Sequence, residues 1–361
     1  MARSDLEVMD AAFEYLVNPE QKGQKGQYFT PRPVVRMAVR MLNPQDGEKV
    51  IDPACGSGGF LIHSLLHAKE ANGWSGADAY RYANEYLYGV DFDDKLVRVA
   101  KMSMIVAGDG KANIVRVNSL DVRAWQNSPA AVRVGQFAKD ETDGDFDLVL
   151  TNPPFSGKVS GRAQLAAFDL YELASHGLLA PGDEDESTEE ADGTVAAALA
   201  RQRRITSMKR DILFLERGLD MLRPGGRMAI VLPQGNLNNV GLAGLREYLL
   251  RRARLLGVVG LHFCTFRPFA SIKTSVLFLQ KWGGAAGDPV PDYQVFMAVS
   301  QRSGKDNRGR YIYKRDNMGR LIDDQGIPIV MSNRPAVVDS DLGEIADAFV
   351  KWSTDNGVSF Q

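Results

Sequence analysis

The apolar run Phe146-Asp147-Leu148-Val149-Leu150 reads as a strand, and soon after it stands Asn152-Pro153-Pro154-Phe155. Two consecutive prolines fix φ and remove two backbone donors, so a central strand cannot continue through them. The chain must turn at the carboxyl edge of a sheet, which is where open α/β sheets bind ligands. The Asn oxygen and the carbonyls of a proline-locked turn are acceptors, and the aromatic adds a flat apolar face. Together they fit a planar group bearing an NH2, although the tetrapeptide alone reads first as a strand-ending turn. A ring-conjugated amine is a poor nucleophile because its lone pair is delocalised. Two acceptors on its hydrogens favour the reactive pyramidal geometry without a strong base.

The stretch upstream shifts that balance. Val50-Ile51-Asp52 predicts a buried strand, and Pro53-Ala54-Cys55-Gly56-Ser57-Gly58-Gly59-Phe60 a glycine-rich turn into a helix from Leu61 to Glu70. Strand, glycine loop and helix form the entry of a nucleotide-binding α/β unit, where glycines let a ligand approach the backbone and the helix start offers free N–H groups. No Gly-Lys-Ser/Thr follows, so the loop is not a phosphate-binding P-loop, and a plain packing turn stays open. Leu87–Asp91 predicts the next strand, ending in an acid of the kind that accepts ribose hydroxyls, with Phe92 placed to pack on a purine. Further strands are predicted at 114–117, 146–150, 226–233, 255–260 and 274–279. Helices separate most of them, so the sheet is mainly parallel. Before the first strand, Leu6 to Leu16 predicts a helix with Leu6, Met9, Phe13 and Leu16 on one face. A polar linker then leads to Tyr28-Phe29-Thr30-Pro31-Arg32-Pro33 and a helix through Leu42.

Taken in order, Tyr28-Phe29-Thr30-Pro31, the Asp52 to Phe60 loop, Asp91 and Asn152-Pro153-Pro154-Phe155 closely resemble the adenine-N6 DNA methyltransferases, specifically the modification subunit of type I restriction-modification systems. The resemblance runs from about residue 26 to 282 and continues more weakly to 351. It implies an α/β, Rossmann-like S-adenosylmethionine-dependent methyltransferase fold, with a mostly parallel seven-stranded sheet, its last strand antiparallel, and helices on both faces. It implies S-adenosyl-L-methionine as donor and a target adenine extruded from double-stranded DNA. By the same resemblance, Gln27, Tyr28, Phe29, Thr30, Pro31, Arg32 and Ser57, Gly58, Gly59 hold the donor's methionine moiety, with Asp52 beside them. Asp91 takes the ribose, with Phe92 next to it, and Asn118 and Ser119 border the donor's adenine; many members carry Asp where this chain has Asn118. Asn152 and the Pro153 carbonyl hold the target N6, Pro154 completes the turn, and Phe155 stacks on the base. A DNA specificity subunit, a restriction subunit and two modification copies per complex are the implied partners.

Residues 1–26 are expected to form an N-terminal helix and linker, 27–282 the catalytic domain, and 283–361 a C-terminal extension. Within the catalytic domain, 156–210 reads as an irregular, partly acidic insertion around Pro181 to Glu190. It is expected as a solvated loop, or as a segment that orders over DNA with Arg201, Arg203, Arg204, Lys209 and Arg210 on phosphates. The loop Thr265-Phe266-Arg267-Pro268-Phe269 either touches DNA or closes the core. The long helical N-terminal domain usual in such subunits is absent from these 361 residues, which suits a compact member or a piece of a longer chain.

No apolar run spans a bilayer or marks a signal peptide, and the two cysteines have no paired spacing, so a cytoplasmic, disulfide-free protein is expected. Cys55 and Cys264 read as buried thiols, which argues against cytosine-C5 chemistry. His63 and His67 have the spacing of a metal pair, but residue 64 is Ser and no third ligand stands out, so no metal is expected. A net charge of −2 leaves any DNA contact to local patches or a partner. Methyltransferases of a protein glutamine or an RNA guanine amine share similar Asn-Pro-Pro-aromatic turns and are the alternative, and a non-catalytic donor-binding subunit is a third; the Tyr-Phe-Thr-Pro segment favours adenine in DNA.

Overall fold

The computed structural model describes residues 29–108, 113–135, 144–179, 205–332 and 334–358. The expected first helix, Gln27, Tyr28 and the acidic run at 183–190 lie outside the described residues. The helices are α1 (Arg32–Leu42), α2 (Gly59–Asn72), α3 (Gly76–Tyr86), α4 (Asp94–Ala107), α5 (Val122–Gln126), α6 (Pro129–Val134), α7 (Arg162–Leu165), α8 (Asp169–Ser175), α9 (Arg210–Met221), α10 (Gly235–Asn238), α11 (Ala243–Arg252) and α12 (Leu342–Asp355). The strands are β1 (Val50–Asp52), β2 (Leu87–Asp91), β3 (Asn113–Arg116), β4 (Phe146–Thr151), β5 (Lys158–Ser160), β6 (Ser207–Lys209), β7 (Leu222–Pro233), β8 (Ala253–Gly260), β9 (Thr274–Lys281) and β10 (Phe296–Val299).

The main sheet runs β10-β8-β9-β7-β4-β1-β2-β3. Only β9 opposes its neighbours β7 and β8; the other pairs are parallel. The seven expected strands are all present with the last antiparallel, and β10 adds an eighth at the edge beyond β8.

Successive residues of each strand feed opposite faces. Val50, Leu148, Leu150, Ala229, Val231, Val276 and Phe278 join one core, with side chains of α1, α2, α3, α4 and α12. Ile51, Val149, Met228, Ile230, Leu277 and Leu279 join the other, with α8, α9 and α11. Burial on both sides is why these strands read as continuous apolar runs. Phe146 and Leu148 break the alternation because the β4–β7 register shifts between them. Gly89 sets the spacing on the first face. A Cβ there would lie 2.8 Å from Leu61 Cδ1 and 3.2 Å from Cys55 Sγ, so its absence lets α2 press onto β2.

The insertion at 156–210 departs from the irregular reading at both ends. Lys158–Ser160 pairs antiparallel with Ser207–Lys209, and α7 and α8 follow β5. Beyond β10, residues 303–340 are joined by isolated bridges and contain three turns of one design. Asp306, Asp316 and Asp323 each accept from backbone N–H groups two and four residues ahead. Gly309, Gly319 and Gly326 supply the left-handed residue of each turn, at φ +82°, +79° and +77°. The chain then returns in α12, whose Phe349 packs on Phe278 and Phe296. Among the described residues no helix is long and apolar enough to cross a membrane.

Arg227 locks β7 to the end of α1. Its Nε donates to the Leu42 carbonyl at 2.7 Å, Nη2 to the Asn43 carbonyl at 3.0 Å, and both terminal nitrogens bind the Glu48 carboxylate. Removing one partner of a buried pair strands the other. Arg227→Met is therefore expected to lower unfolding free energy by about 3 kcal/mol, read by urea denaturation.

Candidate active site

The glycine loop leaves β1 still paired, because the Cys55 N–H donates to the Val90 carbonyl at 2.9 Å. This places Gly56 beside the end of β2, where its N–H donates to Asp91 Oδ2 at 3.0 Å. Asp91 Oδ1 accepts from the Asp93 N–H at 2.9 Å, and Asp52 Oδ1 from the Ala54 N–H at 3.0 Å. Gly56 and Gly58 adopt positive φ, 53° and 87°, and Gly58 caps α2 in the left-handed region. A Cβ on Gly59 would come within 2.8 Å of Arg32 Nη1, so the guanidinium lies directly against this glycine. Arg32 in turn lies over the Phe29 ring, 4.7 Å from its centroid.

At the end of β4, Asn152 Nδ2 donates to Thr30 Oγ1 at 2.9 Å. Two segments far apart in sequence thus meet side chain to side chain. With its nitrogen committed to Thr30, Asn152 has Oδ1 as the atom that can accept from an amine. After β3, Ser119 Oγ donates to the Pro53 carbonyl at 2.6 Å, while the Ser119 carbonyl accepts from the buried Arg217 Nε at 2.9 Å. Asn118 Oδ1 accepts from the Leu120 N–H at 3.1 Å, which fixes the turn beside it.

These segments enclose one cavity of about 650 Å³ at the carboxyl ends of β1, β2 and β4. Phe29, Thr30, Arg32, Asp52, Ser57, Gly59, Asp91, Phe92, Asn118, Ser119, Asn152 and Pro154 all line it. Phe92 is 40% exposed and offers a flat face beside Asp91. Gly58, Pro31 and Pro153 are the immediate chain neighbours of lining residues and are not themselves among them. The same is true of Phe155, which is only 9% exposed and meets Phe266 edge-on, with centroids 5.3 Å apart.

A family model described as N-6 DNA Methylase matches residues 4–326. The chain belongs to this family. The type I restriction enzyme EcoEI methylase subunit of Escherichia coli is 27% identical over 264 residues, 73% of this chain and 44% of that protein. The chain therefore spans less than half the length of that relative. A solved chain from a study of type I R-M system assembly is 26% identical, with TM-score 0.55 over 77% of this chain and 47% of its own. The type I restriction-modification methyltransferase subunit from Streptococcus thermophilus, 20% identical with TM-score 0.57, covers 96% of this chain and 58% of that one, a likeness of fold. The Rossmann-like methyltransferase fold expected from the sequence is the fold present.

Sequence patterns did not single out Lys158, Ser160, Gln164 or Phe214 for this cavity, and named Arg210 and the 265–269 loop only as candidate DNA contacts, the loop alternatively as closing the core. Lys158 and Ser160 on β5, Gln164 on α7, and Arg210 and Phe214 on α9 line the cavity, with Pro268 and Phe269 at another side. Gln164 Nε2 donates to the Leu120 carbonyl at 3.2 Å, tying this wall to the turn after β3. The proline-rich turn just before β5 was the available signal, since a rigid turn presents whatever follows it. Cys55 is buried, and burial drives its thiol well above its ordinary range. His67 Nε2 lies 2.8 Å from Asn43 Oδ1, away from the cavity.

Burial dominates both carboxylates: it pushes Asp52 up to about 7 and Asp91 up to about 6, against backbone N–H groups that pull them down. A folded-state value above the unfolded one means the folded protein binds the extra proton. That stability is complete below pH 3.8 and is lost as pH rises to about 7. In ligand-free protein, the decline contributed by Asp52 should shrink in Asp52→Asn, read by urea unfolding across that range.

Proposed function

We propose that the chain transfers a methyl group from S-adenosyl-L-methionine to the N6 amine of an adenine flipped out of duplex DNA, as the modification subunit of a type I-like restriction-modification system. The observation that carries this is Asn152, held by Thr30 at the wall of the cavity that the glycine loop and Asp91 also line. The lining fits the donor. The left-handed glycines and the unbranched wall at Gly59 admit a ligand against the backbone, Asp91 retains lone pairs for ribose hydroxyls, and Phe92 offers a face for a purine. When bound, the donor supplies an electrophilic methyl group on a sulfonium.

Asn152 Oδ1 and the Pro153 carbonyl accept from the two N6 hydrogens. That withdraws the nitrogen lone pair from the ring and aims it, so no covalent enzyme intermediate is needed, and N6 releases one of its two protons to solvent as it gains the methyl. Extruding the base costs a few kcal/mol, and Pro154 with the β5 wall encloses it away from water. Lys158 and Arg210, at the same wall, supply cations for the flanking phosphates. Sequence choice falls to a DNA specificity subunit, with a restriction subunit and a second modification copy completing the assembly, a setting that is cytoplasmic. The alternatives, a protein glutamine or an RNA guanine amine, share the acceptor pair and the Thr30 contact; the match to the N-6 DNA Methylase family over residues 4–326 favours adenine in DNA.

Tritiated-methyl transfer to duplex DNA, RNA and protein, compared side by side, tests the assignment; label appearing in protein or RNA and not in DNA overturns it. Asn152→Ala should lower transfer at least about a hundred-fold with donor affinity nearly intact. Asp91→Asn should weaken donor binding roughly ten-fold, read by calorimetry.

A further inference from the structure

The loop 262–270, between β8 and β9, forms the side of the cavity farthest from the glycine loop in sequence. Its Pro268 and Phe269 line the cavity, and its Phe266 packs edge-on against Phe155 of the catalytic turn. Successive turns shape it: Thr265, Arg267 and Phe269 N–H groups donate to the carbonyls of His262, Cys264 and Phe266. What this loop rests on is the first Asp-Gly turn of the C-terminal extension. Lys305 Nζ donates to the Arg267 carbonyl at 3.2 Å, and Cys264 Sγ lies 3.1 Å from Asn307 Oδ1. A Cβ on Gly309 would overlap Pro268 and come within 2.7 Å of the Arg267 carbonyl carbon.

The second turn provides an internal comparison. Gly319 has the same place in its turn as Gly309 and nearly the same φ, +79° against +82°, and its Asp316 makes the same backbone hydrogen bonds as Asp306. A Cβ on Gly319 would meet nothing within 4 Å. The two glycines therefore share the conformational demand and differ in one respect: only Gly309 is pressed against the loop beside the active site.

We infer that the turn 305–310 is a positioning element for the acceptor side of the site: Gly309 and Lys305 set the height of the loop 264–269, which sets Phe155 and the wall that receives the methyl acceptor. None of residues 305–310 is among those lining the cavity. Gly309 and Lys305 thus act through the loop and contact neither donor nor acceptor.

The inference rests on the proposed methyl transfer only for its activity readout, so two readouts are compared in Gly309→Ala and Gly319→Ala. Hydrogen exchange across 264–270 should rise in Gly309→Ala and stay at the parent level in Gly319→Ala. Methyl transfer to duplex DNA should fall at least about ten-fold in Gly309→Ala, as small displacements of reacting groups do. Donor affinity should stay within about two-fold, as expected for a site with no shared partners. If Gly309→Ala does not fold, Lys305→Met decides, with the same direction of change in exchange and transfer. Equal behaviour of Gly309→Ala and Gly319→Ala, donor affinity lost in parallel with transfer, or unchanged exchange in Lys305→Met would each overturn the inference. A parent protein that labels no DNA instead rejects the proposed function, and hydrogen exchange still decides the role of the turn.

Discussion

β1 has β2 on one side and β4 on the other, and the chain reaches them in opposite directions. It moves outward through β2 and β3, then crosses back past β1 to form β4. Crossover segments that part in this way cannot both cover the carboxyl end of β1, so a crevice opens there. Every contact at the site depends on that reversal. The glycine loop leaves β1 into the crevice, Asp91 reaches it from β2, and Asn152 reaches it from β4. The parallel pairs Val50 with Leu87 and Val50 with Leu148 set all three ends at one level.

Buried polar groups then fix the crevice in shape. Asp91 is held by the N–H groups of Gly56 and Asp93, so the strand end and the glycine loop cannot separate without stranding a buried carboxylate. Ser119 joins Pro53 to Arg217, and Arg217 stacks on Phe168, which extends the same frame to α9. Beside Arg217, Glu216 accepts the backbone N–H groups of Asp169 and Leu170 at the start of α8, and burial pushes its carboxyl up to about 8. The segment after Asn152-Pro153-Pro154-Phe155 is thereby tied to the helix behind it.

Most of the β1–β2 side of the cavity was legible in the sequence because its elements follow one another along the chain. Strand, glycines, helix and acid follow one another within β1 to β2, and each residue type answers a backbone demand at its own position. What was not legible depends on partners distant in the chain. Lys158–Ser160 and Ser207–Lys209 are three-residue strands, too short to show a period, and they find each other across the acidic insertion. β10 is an edge strand with half-exposed residues, and its pairing with β8 is set by α12 packing on Phe296. Phe155 read as a face for a ligand; the structure turns it onto Phe266, a neighbour that only the folded β8–β9 loop supplies.

The two sides of the cavity therefore have different mechanical origins. The donor side is stiffened by contacts between consecutive elements, such as the close approach of α2 to β2 at Gly89 and the bond from Cys55 to Val90. The acceptor side is assembled from distant ones: Thr30 on Asn152, Phe266 on Phe155, and Lys305 on the Arg267 carbonyl. Local contacts form at low entropic cost and persist through partial opening, whereas long-range ones require the whole domain in place. Among the described residues, no hydrogen bond of the Asp91 and Ser119 framework runs through the β8–β9 loop. In the proposed reaction, a base entering from a duplex meets the half of the cavity assembled from distant segments, and the donor meets the half built around β1 and β2.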